Sequence, residues 1–225
     1  MNDKQLVAIH AAKHVQDDML VGLGTGSTAN FFIEELARRQ KEDNLKVTTI
    51  ASSNISMIKA QSLGLNVISI QQINSIDLYV DGADEITPTM TLLKGRGYDL
   101  VMEKLLANAA KQFIVVADKS KLVNQIGTHF AIPIEVMPFA WQVVKNSVED
   151  AGGNGSLRQN VAKDGLSISS YGSLILDMRF DSDFSAEYLN QLLNNIPGVV
   201  EHGIFHELTS AVFIADAGKV EEKWL

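Results

Sequence analysis

No cysteine occurs among the 225 residues. This excludes a disulfide framework, a thiolate nucleophile and any cysteine-based metal site. Long apolar runs are also missing, and none approaches the ~20 residues of a membrane span. Met1-Asn2-Asp3-Lys4 leads into alternating polar and apolar residues, not the apolar core of a secretory signal. Aromatic residues are sparse at 7%, and basic residues are outnumbered 19 to 27, for a net charge of −8. An acidic chain is a poor partner for polyanions, so neither nucleic acid nor an anionic membrane surface is expected. The 46% of hydrophobic residues is ample for a core, in one large domain or two small ones at ~100–200 residues each. A soluble cytoplasmic protein is the expectation.

Over residues 1–130, apolar strand-like runs alternate with helical patterns. Strands are expected at 19–23, 46–51, 66–70, 76–80 and 112–117, and helices at 4–16, 31–39, 56–63 and 98–110. Strands apolar on both faces and separated by helices predict an α/β fold with a parallel sheet. The texture changes near residue 130. Strand-like segments at 131–136, 157–162, 173–180 and 199–205 surround helices at 139–150 and 184–195, a shorter α+β pattern with turn signals at 152–155 and 164–165. We read residues 131–205 as a small inserted domain and 1–130 plus 206–225 as the larger one, with the apolar run Ala211–Ala215 rejoining its sheet.

Four motifs carry candidate chemistry, and three of them stand at the ends of strands, where α/β proteins gather ligands. Gly22-Leu23-Gly24-Thr25-Gly26-Ser27-Thr28 lies between a strand and a helix. Its glycines allow close backbone approach, and its hydroxyls with helix N-terminal amides suit a phosphate. A tight turn capped by serine is the plainer reading. Ser27 stands where a dinucleotide fingerprint needs glycine, and no Gly-Lys-Ser/Thr follows as in a P-loop. Asp81-Gly82-Ala83-Asp84-Glu85 crowds three carboxylates, which suits acid and base roles as well as a solvated loop. Lys94-Gly95-Arg96-Gly97 offers a lysine to an oxyanion or phosphate, and leads to Glu103, a carboxylate beside the apolar Met102, Leu106 and Ala107. Asp118-Lys119-Ser120-Lys121 again sets charges after a strand. Residues 94–121 hold six basic side chains against three acidic ones, a local reversal of the chain's charge that suits a small dianion. His10 and His14 are spaced i, i+4, but no glutamate stands between them, and no metal is expected. No Gly-x-Ser-x-Gly elbow supports a serine hydrolase.

These motifs occur in a fixed order with Pro133-Ile134-Glu135-Val136, Leu176-Asp177, Ile196 to Val200 and Gly203-Ile204-Phe205. As an ordered set spanning almost the whole chain, they closely resemble ribose-5-phosphate isomerase, type A. One departure is Arg96, where the family loop usually carries glycine. The resemblance implies a Rossmann-like α/β domain and a smaller α+β domain of ferredoxin-like type. It implies interconversion of ribose 5-phosphate and ribulose 5-phosphate in the pentose phosphate pathway, without metal or organic cofactor. It implies a homodimer, with a homotetramer as the alternative. Carried onto this sequence, Glu103 is the base, Lys94 the oxyanion partner, and Asp81 and Asp84 handle sugar hydroxyls and ring opening. Thr25, Gly26, Ser27 and Thr28 hold substrate together with Gly82, Ala83, Gly95, Arg96 and Gly97, and Lys121 adds charge on the phosphate side. A sugar-phosphate sensor and an acyl-CoA transferase-like enzyme are the rival readings. The sensor lacks a segment for a DNA-binding helix-turn-helix, and the transferase needs a nucleophilic glutamate.

Overall fold

The computed structural model describes residues 2–181 and 183–225. The chain divides into two compact units. The first takes the residues up to Ala83, then Met102–Lys121 and Leu208–Leu225; the second takes Asp84–Val101 and Leu122–Glu207.

The first unit is built on strands β1 (Leu20–Leu23), β2 (Thr48–Ala51), β3 (Asn66–Val67), β4 (Ile76–Asp81), β7 (Ala110–Asp118), β13 (Ala211–Asp216) and β14 (Lys219–Trp224). They form one sheet in the order β14-β13-β7-β4-β1-β2-β3. Every pairing is parallel except β13 with β14. The central strands bury both faces, which is why they read as continuous apolar runs. Helices α1 (Asp3–Ala12), α2 (Ser27–Glu42), α3 (Asn54–Ser62) and α4 (Leu100–Ala109) connect or flank them. Val21, Leu78, Ile114 and Phe213 share a core with Val7 and Ala11 of α1 and Phe32 and Leu36 of α2. The strand order reverses between β1 and β4, so the carboxyl ends of these two strands open the crevice where such sheets bind ligands.

Two expectations change here. The strand expected over 66–70 stops at Val67, because Ser69 caps a 3₁₀ turn at Ile70–Gln72 and Gln72 closes the capping box. The sheet also gains β14, an exposed polar strand with no apolar signal.

In the second unit, β8 (Ile132–Val136), α5 (Trp141–Asp150), β9 (Asn154–Leu157), β10 (Leu174–Arg179), α6 (Ala186–Asn194) and β11 (Val199–His202) follow a βαββαβ path. Their sheet order, β11-β8-β10-β9, is antiparallel throughout, the ferredoxin-like arrangement. Ile134, Val136, Val144, Val148, Leu176 and Leu193 fill its core. The strand expected at 157–162 is displaced to 154–157, into residues read as a turn. A Cβ on Gly155 would lie 1.9 Å from the Asp177 carbonyl oxygen, so the glycine marks close strand contact. A second sheet of β5 (Glu85–Ile86), β6 (Leu92–Leu93) and β12 (Ile204–Phe205) completes this unit. Residues 84–101 and 122–130 therefore depart from the expected boundaries. Leu93 and Ile126 join the second core, and Glu85 ties the 127–130 loop to β5. Among the described residues, no helix is long and apolar enough to cross a membrane.

Candidate active site

At the carboxyl end of β4, Asp81 is fully buried. Its Oδ1 accepts the amides of Thr25 (3.0 Å) and Gly82 (2.7 Å), and its Oδ2 accepts the Tyr79 hydroxyl (2.6 Å). A Cβ on Gly24 would lie 2.1 Å from Oδ1, so only glycine lets the loop after β1 pass this carboxylate. Tyr79 is buried and stacked on Phe113, with ring centroids 4.8 Å apart. Burial, then the charges of Asp81 and Glu103, push the tyrosine well above its ordinary range, so it stays a protonated donor. Glu103, in the first turn of α4, is 4% exposed. The apolar face of α4 brings Leu106 and Ala107 into the core, and the carboxylate is carried inward with them.

The loop after β1 meets a cluster of hydroxyls. Thr25 Oγ1 lies 2.9 Å from Ser52 Oγ, 2.7 Å from Ser53 Oγ and 3.2 Å from Ser56 Oγ. Ser53 caps α3 by accepting the Ser56 amide, and Ser56 Oγ donates to the Gly24 carbonyl at 2.7 Å. Loop and helix start are thus locked together. Gly26, not a serine, is the N-cap of α2, while Ser27 and Thr28 begin the helix with no acidic residue in its first turn. Gly26 and Ser27 are exposed at this helix start, a setting suited to an anion. Lys4 Nζ donates to Ser27 Oγ at 3.2 Å. Past β7, burial acts to raise Asp118, but the Ser120 hydroxyl and amide, then Lys121 and Lys4, bring it below its ordinary value. Lys4 and Lys121 therefore both bear on this end of the sheet.

In the second unit, Lys94 follows β6. It is 4% exposed, with Nζ 5.6 Å from the Phe205 ring centroid and its amide donating to the Gly203 carbonyl. Asp84 is half-buried, its amide donating to the Leu93 carbonyl. Glu85, which the sequence grouped with the other carboxylates, is committed elsewhere. It accepts the amides of Gly127, His129 and Phe130 and acts as a loop clamp. Arg96 is exposed and lays its guanidinium over Phe130, 4.2 Å from the ring centroid. Arg158 stakes the same loop. It forms a bidentate pair with Asp177 (2.8 and 2.5 Å), donates to the Gly95 carbonyl (3.1 Å) and stacks near Tyr98. Buried Asp99 accepts from the Ser170 hydroxyl, and exposed Gly97 lies with Arg96 in the turn before it.

The first unit thus brings together Thr25, Asp81, Gly82 and, through its charge on Tyr79, Glu103. The second holds Asp84, Lys94, Gly95 and Arg96 on its own framework. Sequence reasoning missed Ser52, Ser53, Ser56, Lys4 and Arg158. The Ser52-Ser53 pair after a strand was the one available signal.

A family model described as ribose 5-phosphate isomerase A (phosphoriboisomerase A) matches residues 48–219. The chain is 42% identical to the ribose-5-phosphate isomerase A of Prochlorococcus marinus (strain NATL2A) over 97% of its length and 92% of that protein. It is 41% identical to that of Thermococcus kodakarensis, covering 94% and 93%. Among solved structures, the ribose 5-phosphate isomerase A of Methanocaldococcus jannaschii superposes with a TM-score of 0.94 at 37% identity, over 99% and 98% of the two chains. A D-ribose-5-phosphate isomerase in complex with phospho-erythronic acid gives 0.95 at 35% identity over both full chains. The chain belongs to the ribose 5-phosphate isomerase A family.

Proposed function

We propose that this chain interconverts D-ribose 5-phosphate and D-ribulose 5-phosphate through a cis-enediolate. The observation that carries this reading is the end-to-end likeness to an isomerase holding phospho-erythronic acid. That ligand joins a phosphate to a planar carboxylate, whose two oxygens match the shape and charge of an enediolate.

In the forward direction, Glu103 takes the proton from C2 of the open-chain aldose. The C2 electron pair forms the C1–C2 double bond, and charge moves onto the carbonyl oxygen at C1. Glu103 then returns its proton to C1 while the O2 hydroxyl proton passes to O1, so that O2 becomes the ketone oxygen and O1 the C1 hydroxyl. Burial of Glu103 in the first turn of α4 supports base duty, because it holds the carboxylate in a dry, fixed position. Lys94 stabilises the enediolate oxygen, and its own burial strengthens that charge interaction. Asp84 serves the sugar hydroxyls and ring opening. Asp81 shares that role and also sets the path of the 24–25 loop, a part supported by its three accepted hydrogen bonds. Thr25 to Thr28 hold the substrate, with Lys121 on the phosphate side. Gly82, Ala83, Gly95 and Gly97 give the backbone close approach, and Arg96 borders the substrate. The resemblance also supports a cytoplasmic homodimer, with a homotetramer distinguishable by sedimentation equilibrium.

The deciding experiment incubates the protein with ribose 5-phosphate and EDTA and follows ketose formation. Ketose production undiminished by EDTA is expected. No ketose would overturn the reaction, and activity lost only with EDTA would overturn its metal-free character.

A further inference from the structure

The two histidines that the sequence left without a partner meet a third ligand-type side chain in the first unit. His10 and His14 lie one turn apart on α1, with ring centroids 6.2 Å apart. Glu222 on β14 comes to them from 212 residues along the chain. Its Oε1 lies 2.6 Å from His10 Nε2 and 3.7 Å from His14 Nε2, so both imidazoles converge on one oxygen. We propose that His10, His14 and Glu222 bind a borderline divalent cation, zinc in the first instance.

Three observations support this. The three donor atoms lie within 4.8 Å of one another, close enough to share one ion. A tetrahedral zinc with bonds near 2.0–2.2 Å holds its ligand atoms about 3.3 Å apart, and the measured 2.6 and 3.7 Å bracket that value. The carboxylate is also oriented for one-oxygen ligation. Trp224 Nε1 donates to Glu222 Oε2 at 2.8 Å, the kind of outer hydrogen bond that fixes a metal ligand, and leaves Oε1 to the imidazoles. Finally, the rings are held in place. Phe213 lies 5.6 Å from the His10 ring and 5.1 Å from the His14 ring, and Trp224 lies 5.7 Å from His14, centroid to centroid. A simple histidine–carboxylate pair accounts for one imidazole on the oxygen but not for two.

Two imidazoles and one carboxylate suit zinc and its neighbours, not magnesium or calcium. Each of the three side chains is about 30% exposed, so solvent supplies the remaining ligand position. The cation replaces the proton shared by His10 and Glu222, and it clasps α1 to β14. Its role is to hold the sheet edge; the isomerisation proposed above makes no use of it.

The test uses the full chain, stripped with chelator, titrated calorimetrically with Zn²⁺ and followed by visible absorbance with Co²⁺ at pH 7.5. One equivalent of saturable binding is expected, with a rise in the thermal midpoint. Binding should weaken as the solution is acidified, because protons compete with the metal for its ligands. His14→Ala and Glu222→Gln, which act from different elements, should each weaken binding by about tenfold or more, with far-UV circular dichroism confirming the fold. Absence of saturable Zn²⁺ and Co²⁺ binding by the unmodified protein would overturn the proposal. So would binding unchanged in the folded variants, which would place the ion elsewhere.

Discussion

Gly24 is where a single methyl group would do the most local damage in the first unit. Its Cβ would displace the Asp81 carboxylate, which is held by two amides and a tyrosine hydroxyl. Gly24→Ala should lower stability by about 1–3 kcal/mol, the usual range for overpacking, and reduce turnover by shifting Thr25; an unchanged melt and rate would remove Asp81 from its positioning role. Glu103→Gln tests the base directly. Removing a general base typically costs about 10²–10⁴ in rate, so kcat should collapse while ribose 5-phosphate affinity, read by calorimetry, stays within a few-fold. Near-normal turnover in this variant would sink the assignment. Lys94→Ala should lower kcat more than it raises KM, because its charge matters most when the enediolate forms. An effect confined to KM would make Lys94 a ground-state phosphate anchor.

At the scale of elements, the 94–99 loop depends on a residue well separated from it in sequence. Arg158, between β9 and β10, ties the Gly95 carbonyl to Asp177. Lysine cannot reproduce this bidentate geometry. Arg158→Lys should therefore loosen the loop, visible as faster proteolysis at 95–99 and a severalfold loss in kcat/KM, while the β10 core stays folded. Equal proteolysis of variant and parent would count against this role. The same contrast governs what was legible in the sequence. Apolar strands such as β1, β4 and β7 announce themselves because both faces are buried, and the glycine and acidic motifs fall at their ends as expected. β14 (Lys-Val-Glu-Glu-Lys-Trp) is an exposed edge with no apolar period, and β5 and β6 are two residues each, too short to carry one. Candidate residues were legible where a motif is contiguous in the chain, as at 22–28, 81–84 and 94–97, whereas Glu85, read with its neighbours, proved to clamp the 127–130 loop. The site was not legible where partners meet across distant segments: Lys4 with Ser27, Thr25 with Ser52, Ser53 and Ser56, Arg158 with Gly95, and the histidines with Glu222.

For the molecule as a whole, the shifted carboxyl groups of the two units pull in opposite directions with pH. In the first, Asp77 lies below its ordinary value through Lys111 and the Leu20 amide. Glu222 does so through His10 and Trp224, and Asp118 because Ser120 and nearby lysines outweigh its burial. Such groups favour folding above the unfolded carboxyl range near pH 4 and lose that contribution as pH falls through their folded values. In the second unit, burial raises Asp99 and Glu135. The Glu135 carboxyl is fully buried, near Ser169 and Ser173 but without a hydrogen bond of standard geometry. These groups favour folding most at low pH, and the contribution is lost as pH rises through their folded values. Glu135→Gln should therefore gain on the parent in thermal midpoint by a few degrees between pH 4.5 and 8, while the deficit of Asp77→Asn should be full above about pH 4 and shrink as pH falls below it. Parallel profiles for parent and variants would contradict both directions.

The interleaving of the two units also has a consequence for biosynthesis. β7 pairs with β13, and the Phe113 carbonyl accepts the Ser210 amide from 97 residues later in the chain. While residues 122–207 emerge, several seconds at ~5–20 residues per second, the Phe-Ile-Val-Val core of β7 has one open edge on the nascent chain. An apolar strand in that state is a template for association with other chains. The newborn polypeptide is thus most exposed to aggregation during this interval, and delivery of 208–225 is the event that ends it.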